Sequence, residues 1–433
     1  MSGQISNPAV LTELSGLLSR HVDERDLRRA RLHLLDWSGC AIAGAKEPAG
    51  SVLRKMPVKD ASAQAFVWGG LGNILEMDDV DKRALLHPGP SIIPAALAAA
   101  VRAQSDMSQL LAAIVTGYEA TIRLGRAVGP AHYAKWHSTG TCGAIGAAAA
   151  SAFLLELTEE ERAHAMALAI SQSAGLWHTR HDADSMGKQL HTAVAARAGL
   201  DAAQLARDGF RGPLSILEGE QGFFAAMCED GQPMQICARQ DAQWAIQEVS
   251  FKPWPACRHA HAAIDAALKL RDQVSVSEIK SLTVRTYQDA LKFCDRPNPQ
   301  TVIEAKFSLQ HSVAVTLLSG APGLDDFGET AIRSPEVAEL RGKVRVEVAD
   351  VYQARYPSRF GAEIQCGDRK VVIEDALGDP ENPVSDIQIR QKAAALMAAA
   401  GLSETSRLGL CDAVLSDTAT AQKFIQNLQE MLA

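Results

Sequence analysis

The chain carries WHSTGTCGAIGAAAASAFLLEL at Trp136–Leu157. A polar, glycine-marked start leads into a run made almost wholly of glycine and alanine. The composition predicts a helix with little bulk of its own, so neighbouring helices must pack close to its backbone. Such an element belongs at the centre of a bundle. Its N-terminus, near Thr139–Gly143, points free backbone N–H groups outward and is a natural anion site.

Helical patterning extends on both sides of it. Asn7-Pro8 reads as a cap with proline at the first helical position, followed by apolar residues at helical spacing from Val10 to Val22. A second helix starts near Glu24, another spans Met107–Leu124, and Thr158-Glu159-Glu160-Glu161 reads as a capping box for a helix ending near Gly175. An alanine-rich helix follows Lys188 and stops at Gly209. The pattern changes near Val249. Period-two, β-branched segments appear at Ser281–Arg285, Lys343–Val348, Ala362–Gln365 and Lys370–Glu374, with helices between them at Ala305–Leu318 and Pro335–Arg341. The C-terminal part is helical again. The expected fold is mainly α: a large all-helical domain built from both chain ends (1–248 and 380–433) plus a smaller α+β domain (249–379).

The composition of the 433 residues is ordinary for a globular chain, 47% apolar and 22% charged. The net charge is −8 and no basic run or basic–aromatic stripe is present, which argues against nucleic acid and anionic membranes as partners. No stretch has the length and character of a membrane span, and the start lacks the pattern of a signal peptide. The eight cysteines are scattered without a CxxC. They read as reduced thiols of a cytoplasmic protein.

The stretch most suited to chemistry is GNILEMDDVDKRALLHPGP at Gly72–Pro90. Glu76, Asp78, Asp79 and Asp81 precede His87, which proline and glycine place on a shaped turn before an apolar helix. The plainer reading of such a cluster is a solvated acidic loop with a capping histidine. His137, Lys188 and Lys252 also sit at loop–helix junctions. Cys257-x-His259-x-His261 resembles a metal fragment but lacks the further ligands of a zinc site, so no metal is expected. Gly140-Thr141-Cys142-Gly143 is not a nucleotide loop, and Cys142 would need a lowered pKa to be a nucleophile.

Together these stretches resemble the MmgE/PrpD family, which contains 2-methylcitrate dehydratases, cis-aconitate decarboxylases and iminodisuccinate epimerases. The matching pieces are the acidic loop ending in His87-Pro88-Gly89, GYE at Gly117–Glu119, the W-H-x-T-G-T loop with its Gly/Ala helix, and Lys188 with AARAGLDAAQLA. GFRGPLSILEGEQGF, FKPWPAC with His261, and Ala305-Lys306-Phe307-Ser308 complete them. The resemblance implies a helical domain with an α+β lid, usually as a homodimer, and no cofactor. It implies His87, His137, Lys188, Lys252 and Glu76 as catalytic residues. Asp78, Asp79, Thr139, Arg180, Arg258, His261 and Phe293 are the accompanying candidates for binding a small polycarboxylate. The family usually has aspartate at the place of Glu76, threonine at Val80 and, in decarboxylases, tyrosine near Phe293. The acid that matters is one of Glu76, Asp78 and Asp79. The implied activity is a cofactor-independent lyase, dehydratase-type first, acting on a 2-methylcitrate- or aconitate-like substrate by proton abstraction next to a carboxylate. Epimerase, racemase or decarboxylase action on the same site is the alternative, and a non-catalytic polycarboxylate-binding protein is a further one.

Overall fold

The computed structural model describes residues 9–182, 185–238, 243–416 and 420–432. The Asn7-Pro8 cap lies outside the described residues. Counting helices of eight residues or more, the chain runs α1 (Val10–Leu17), α2 (Glu24–Gly44), α3 (Ala61–Leu71), α4 (Gly89–Ala103), α5 (Met107–Ala127), α6 (Ser138–Leu154), α7 (Glu159–Ile170) and α8 (Gly187–Arg207). Then come α9 (His261–Arg271), β1 (Leu282–Thr286), α10 (Leu309–Ser319), α11 (Pro335–Gly342), β2 (Val344–Val348), β3 (Ala362–Cys366) and β4 (Arg369–Ile373). The chain closes with α12 (Asp386–Ala399), α13 (Glu404–Leu415) and α14 (Ala421–Leu432). It divides into two compact units, Met1–Val249 with Asp386–Ala433, and Ser250–Ser385. No helix among the described residues is long and apolar enough to cross a membrane. The eight cysteines form no disulfide.

In the first unit α6 is the central helix, packed by α4, α5, α7 and α8. All its residues except Phe153 are buried. Glycine makes the close approach possible. A Cβ on Gly146 would lie 2.0 Å from Thr121 Oγ1 and 2.4 Å from the Gly117 carbonyl oxygen, and one on Gly199 of α8 would lie 2.5 Å from the Ala148 backbone nitrogen. Side-chain caps set several helix starts. Asp23 accepts from Asp26 N–H at 3.0 Å, and Thr158 and Glu161 form the reciprocal box. That helix ends at Ile170 rather than near Gly175, because Ser171–Ser173 close its last carbonyls in a tightening turn. The C-terminal α12 packs on α2, with Ala393 seated over Gly39.

The second unit is a four-stranded sheet in the order β2-β1-β3-β4. β1 runs parallel to β2 and antiparallel to β3, and β3 and β4 form a hairpin. The β1 burial alternates, with Leu282, Val284 and Thr286 inside, as the period-two pattern requires. Helices α9 and α10 cover the sheet. The helix expected over Ala305–Leu318 is split: a short turn ends at Lys306, and Ser308 caps α10 by accepting from His311 N–H at 3.0 Å. Residues 380–385, assigned to the helical domain on sequence, group with the second unit. The chain turns back there, with Gly378 N–H donating to the Asn382 carbonyl at 2.8 Å.

Candidate active site

The acidic loop is not a solvated one. Glu76, Asp78, Asp79 and Asp81 are all buried, and burying a carboxylate is tolerable only when it is paired. Each acid has its own partner. Asp81 is joined to Leu86 by a backbone bridge and pairs with Arg126 at 2.5 Å, which fastens the far side of the loop. Asp79 accepts from Tyr118 Oη at 2.6 Å and from Gly89 N–H at 3.0 Å, and His33 Nδ1 lies 2.7 Å away. Burial pushes His33 down to about 4, so it meets Asp79 as a neutral hydrogen-bond donor. Asp78 accepts from Asn73 Nδ2 at 2.6 Å. Glu76, at a positive φ of 58°, pairs with Lys188. The Met77 carbonyl between them accepts from Lys392 Nζ at 2.5 Å, and Lys392 also meets Asp36 at 2.6 Å. The C-terminal α12 thereby helps to hold the loop.

His87 is set by three contacts. Its Nδ1 lies 2.9 Å from Asp78 Oδ2 and 2.8 Å from the Asp79 carbonyl oxygen, and its backbone N–H donates to Thr139 Oγ1 at 3.0 Å. A carboxylate and a carbonyl only accept, so Nδ1 carries the proton and Nε2 is left with its lone pair. Thr139 thus belongs to the support of His87.

His137 caps the start of α6 and is buried. Its ring stacks on Trp177 with centroids 4.5 Å apart, its backbone N–H donates to the Gly175 carbonyl at 2.8 Å, and its Nδ1 lies 3.1 Å from His191 Nδ1. Its Nε2 is buried without a partner. Burial, then the charge of Lys188, holds His137 well below the ordinary histidine value, with His191 and His87 adding to the effect and Asp78 opposing it. The acidic loop, the start of α6 and the start of α8 therefore bring Glu76, Asp78, Asp79, His87, His137, Lys188 and Thr139 into one neighbourhood. His33, Tyr118, Lys392 and His191 were missed as members. Two of them left a signal in the sequence: Tyr118 lies in the GYE piece, and His191 lies three residues after Lys188, on the same helix face.

The other candidates have different surroundings. Arg180, half-buried, lies over Trp177 at 5.4 Å. Lys252, Arg258, His261 and Phe293 are in the second unit. Lys252 is buried. Arg258, expected as a carboxylate clamp, is committed within its own unit: it meets Asp379 at 2.5 Å and donates to the carbonyls of Leu377 and Ala376 at 3.0 and 3.3 Å. His261 Nδ1 lies 3.1 Å from Arg258, and its Nε2 lies 3.1 Å from the Ala256 carbonyl oxygen. Phe293 stacks on His259, with Phe360 on the opposite face, at 5.1 and 5.2 Å. His259 Nδ1 meets Tyr287 Oη at 2.8 Å, so the Cys257–His261 segment is packed as core. Asp375, Asp379 and Glu381 have oxygens within 4.8 Å of one another, but Arg359 and Arg258 already answer two of those charges. Burial pushes the Cys142 thiol up, the wrong direction for a nucleophile.

The chain is thus a helical bundle that buries an acid–histidine loop, with an α+β unit inserted between its two chain segments. The family models for the MmgE/PrpD N-terminal domain and the MmgE/PrpD C-terminal domain match residues 14–235 and 254–432. The chain belongs to the MmgE/PrpD family. It is 28% identical over 418 residues to the cis-aconitate decarboxylase-like protein oryM of Aspergillus oryzae, covering 84% of this chain and 85% of that one. It is 27% identical over 374 residues to the human cis-aconitate decarboxylase, covering 78% and 75%. To the mitochondrial 2-methylcitrate dehydratase of Yarrowia lipolytica it is 25% identical over 246 residues, covering 54% and 46%.

Proposed function

We propose that the protein is a cofactor-independent lyase that removes a proton next to a carboxylate of a small di- or tricarboxylate. The observation that carries this reading is His137: a neutral, buried histidine whose Nε2 has no protein partner, beside the Lys188 cation and His87. Burial and the Lys188 charge keep this imidazole unprotonated and so free to accept a proton, while lowering its strength as a base. Proton removal leaves negative charge that spreads onto the adjacent carboxylate. The Lys188 ammonium and the N–H groups at the start of α6 are the fixed positive groups to meet it. His87, with Asp78 behind its Nδ1 to stabilise an imidazolium, would take a proton from solvent on Nε2 before turnover and give that proton to the departing hydroxide, so that water leaves and neutral His87 remains.

Dehydration is the first reading. Decarboxylation is the second, favoured by the names of the relatives that cover most of this chain. There CO₂ leaves in place of the proton and a histidine protonates the carbanion. The test is a panel of small di- and tricarboxylates, including 2-methylcitrate and cis-aconitate, with purified protein. Water loss, CO₂ release and epimerisation are followed separately. Saturable binding with no turnover of any member would identify a carboxylate-binding protein instead. We further propose a cytoplasmic homodimer formed through the helical unit, since small-residue helices allow extended close packing and two-fold closure is the common outcome. Light scattering at micromolar concentration should give twice the monomer mass of 46.3 kDa.

A further inference from the structure

We propose that His191 is the positioning residue for His137: it accepts the Nδ1 proton of His137, so that the buried Nε2 presents a lone pair, and it carries that proton outward after each abstraction. The inference rests on the reading of His137 as a base.

Two imidazoles that face each other Nδ1 to Nδ1 at 3.1 Å share one proton between those nitrogens. If His191 supplied it, His137 would carry its own N–H on Nε2, buried with no acceptor. An orphaned buried donor is destabilising, because it gives up its hydrogen bond to water and gains none in return. If His137 supplies it, the remaining N–H falls on Nε2 of His191. His191 is half-buried, so water can take that donor. The second arrangement leaves no buried N–H unmet.

The surroundings are built around the pair. Trp177 on one face of His137 restricts rotation of its ring. A Cβ on Gly140 would lie 3.1 Å from His191 Cβ, and one on Gly175 would lie 3.4 Å from His191 Nδ1. Gly175 has φ +139°, a conformation that glycine takes most readily, and its carbonyl also accepts from His137 N–H. The charged and titratable groups that act on His137 are Lys188 and His191 from α8, and His87 and Asp78 from the acidic loop. Lys188 also acts on His191, whose pKa is lowered by burial first and then by that ammonium. Both rings are thereby kept neutral before turnover.

The proton path balances. A substrate C–H proton moves to His137 Nε2, and the C–H electron pair stays on the substrate. The Nδ1 proton of His137 then passes to His191 Nδ1, and the Nε2 proton of His191 leaves to water. His137 is neutral again with its proton on Nε2. The starting tautomer is restored when water returns a proton to His191 Nε2, the shared proton moves back to His137 Nδ1, and the Nε2 proton of His137 leaves to a water molecule that enters as product departs.

The test is two-bond ¹H–¹⁵N correlation spectroscopy of ¹⁵N-histidine-labelled full-length protein without substrate, with His137 assigned from His137→Asn. The parent should show His137 as the Nδ1–H tautomer, and His191→Leu should show a mixture or the Nε2–H form. His191→Asn, whose amide oxygen can still accept from His137, should keep the Nδ1–H tautomer. In turnover with a substrate from the panel, His191→Leu should lower kcat by about 10² or more with KM within a few-fold, the scale of losing a positioned proton carrier. His191→Asn should recover part of kcat while incorporating less solvent deuterium into recovered substrate. A parent His137 in the Nε2–H form overturns the proposal, as does a His191→Leu spectrum identical to the parent's. The parent spectrum decides even where a variant fails to fold. A correct tautomer with no turnover of any carboxylate would overturn the lyase reading and leave the pairing of the two histidines standing.

Discussion

Replacing Lys188 by methionine removes the cation that meets Glu76 while keeping a side chain of similar length. Glu76 is 2% exposed and the Lys188 side chain 15%. Removing one partner of a buried pair costs about 3–5 kcal/mol, because the other charge is left uncompensated. The partial exposure of Lys188 lets water reach the gap, which puts the expectation at the lower end, about 3 kcal/mol. The loss must depend on pH. Glu76, left without its cation, favours its protonated form in the folded state. Over the window between the unfolded carboxyl value of about 4.3 and the raised folded value, the folded variant binds more protons than the unfolded chain, so its stability falls as pH rises. The deficit against the parent should be small near pH 4 and full by about pH 8. Urea denaturation followed by circular dichroism at a series of pH values reads this directly. Glu76→Gln combined with Lys188→Met should recover most of the deficit near neutral pH, since position 76 then buries a neutral amide in place of a carboxylate that has lost its cation. Turnover should fall by about 10²–10³ in the single variant, as for loss of one charge-stabilising donor. A Lys188→Met protein as stable as the parent at about pH 8, or a double variant no better than the single one, would refute the argument.

Replacing His137 by alanine should lower kcat by about 10²–10⁴ while KM changes far less, because the lost group acts in proton transfer more than in binding; initial-rate kinetics on the active panel member checks it. Burial pushes Asp36 up to about 6 despite the Lys392 ammonium beside it. The folded protein therefore holds that proton more tightly than the unfolded chain, and this group's contribution to stability falls as pH rises from the ordinary carboxyl range to about 6. Asp36→Asn should remove that part of the pH slope in urea midpoints. Gly199→Ala should destabilise the helical unit by about 1–3 kcal/mol, since the added methyl meets the Ala148 backbone rather than a movable side-chain end; thermal unfolding reads the loss.

The sequence carried the fold well where a local pattern and the tertiary environment demand the same thing. The Gly/Ala run at Ser138–Leu154 could only serve neighbours that come close, and α6 has them on every side. Alternation located all four strands to within a residue at each end, and in β1 and β4 the burial alternates as that pattern requires. The splitting of Ala305–Leu318 was not legible, since Ser308 is compatible with helix and acts as a cap only because its backbone turns there. In the site, the residue types of the acidic loop and its histidine were legible, but their partners were not. Asp79 is answered by Tyr118 and His33, which lie 39 and 46 positions away. No spacing rule links residues that meet only when α2, α5 and the loop are assembled. Arg258 shows the converse. A lone arginine at a helix start reads as an available clamp, and the acid that claims it, Asp379, follows 121 residues later.

One turn of α8 joins the two halves of the candidate chemistry. Lys188 and His191 are three residues apart, so both project from one helix face: the first meets Glu76 and the second meets His137. A rotation or slide of this helix would move the cation and the support of the base together. What restrains α8 lies further along it. At Gly199 the helix touches the backbone of α6 with no room for a methyl group, about 16 Å along the axis from Lys188 at 1.5 Å per residue. Helix α6 in turn begins at His137. His137 and His191 therefore stand at the starts of two helices whose spacing is fixed by glycine contact, and hydrogen-bond geometry is lost within a few tenths of an ångström. The small residues that make the bundle close-packed are for that reason also what keeps Nδ1 facing Nδ1.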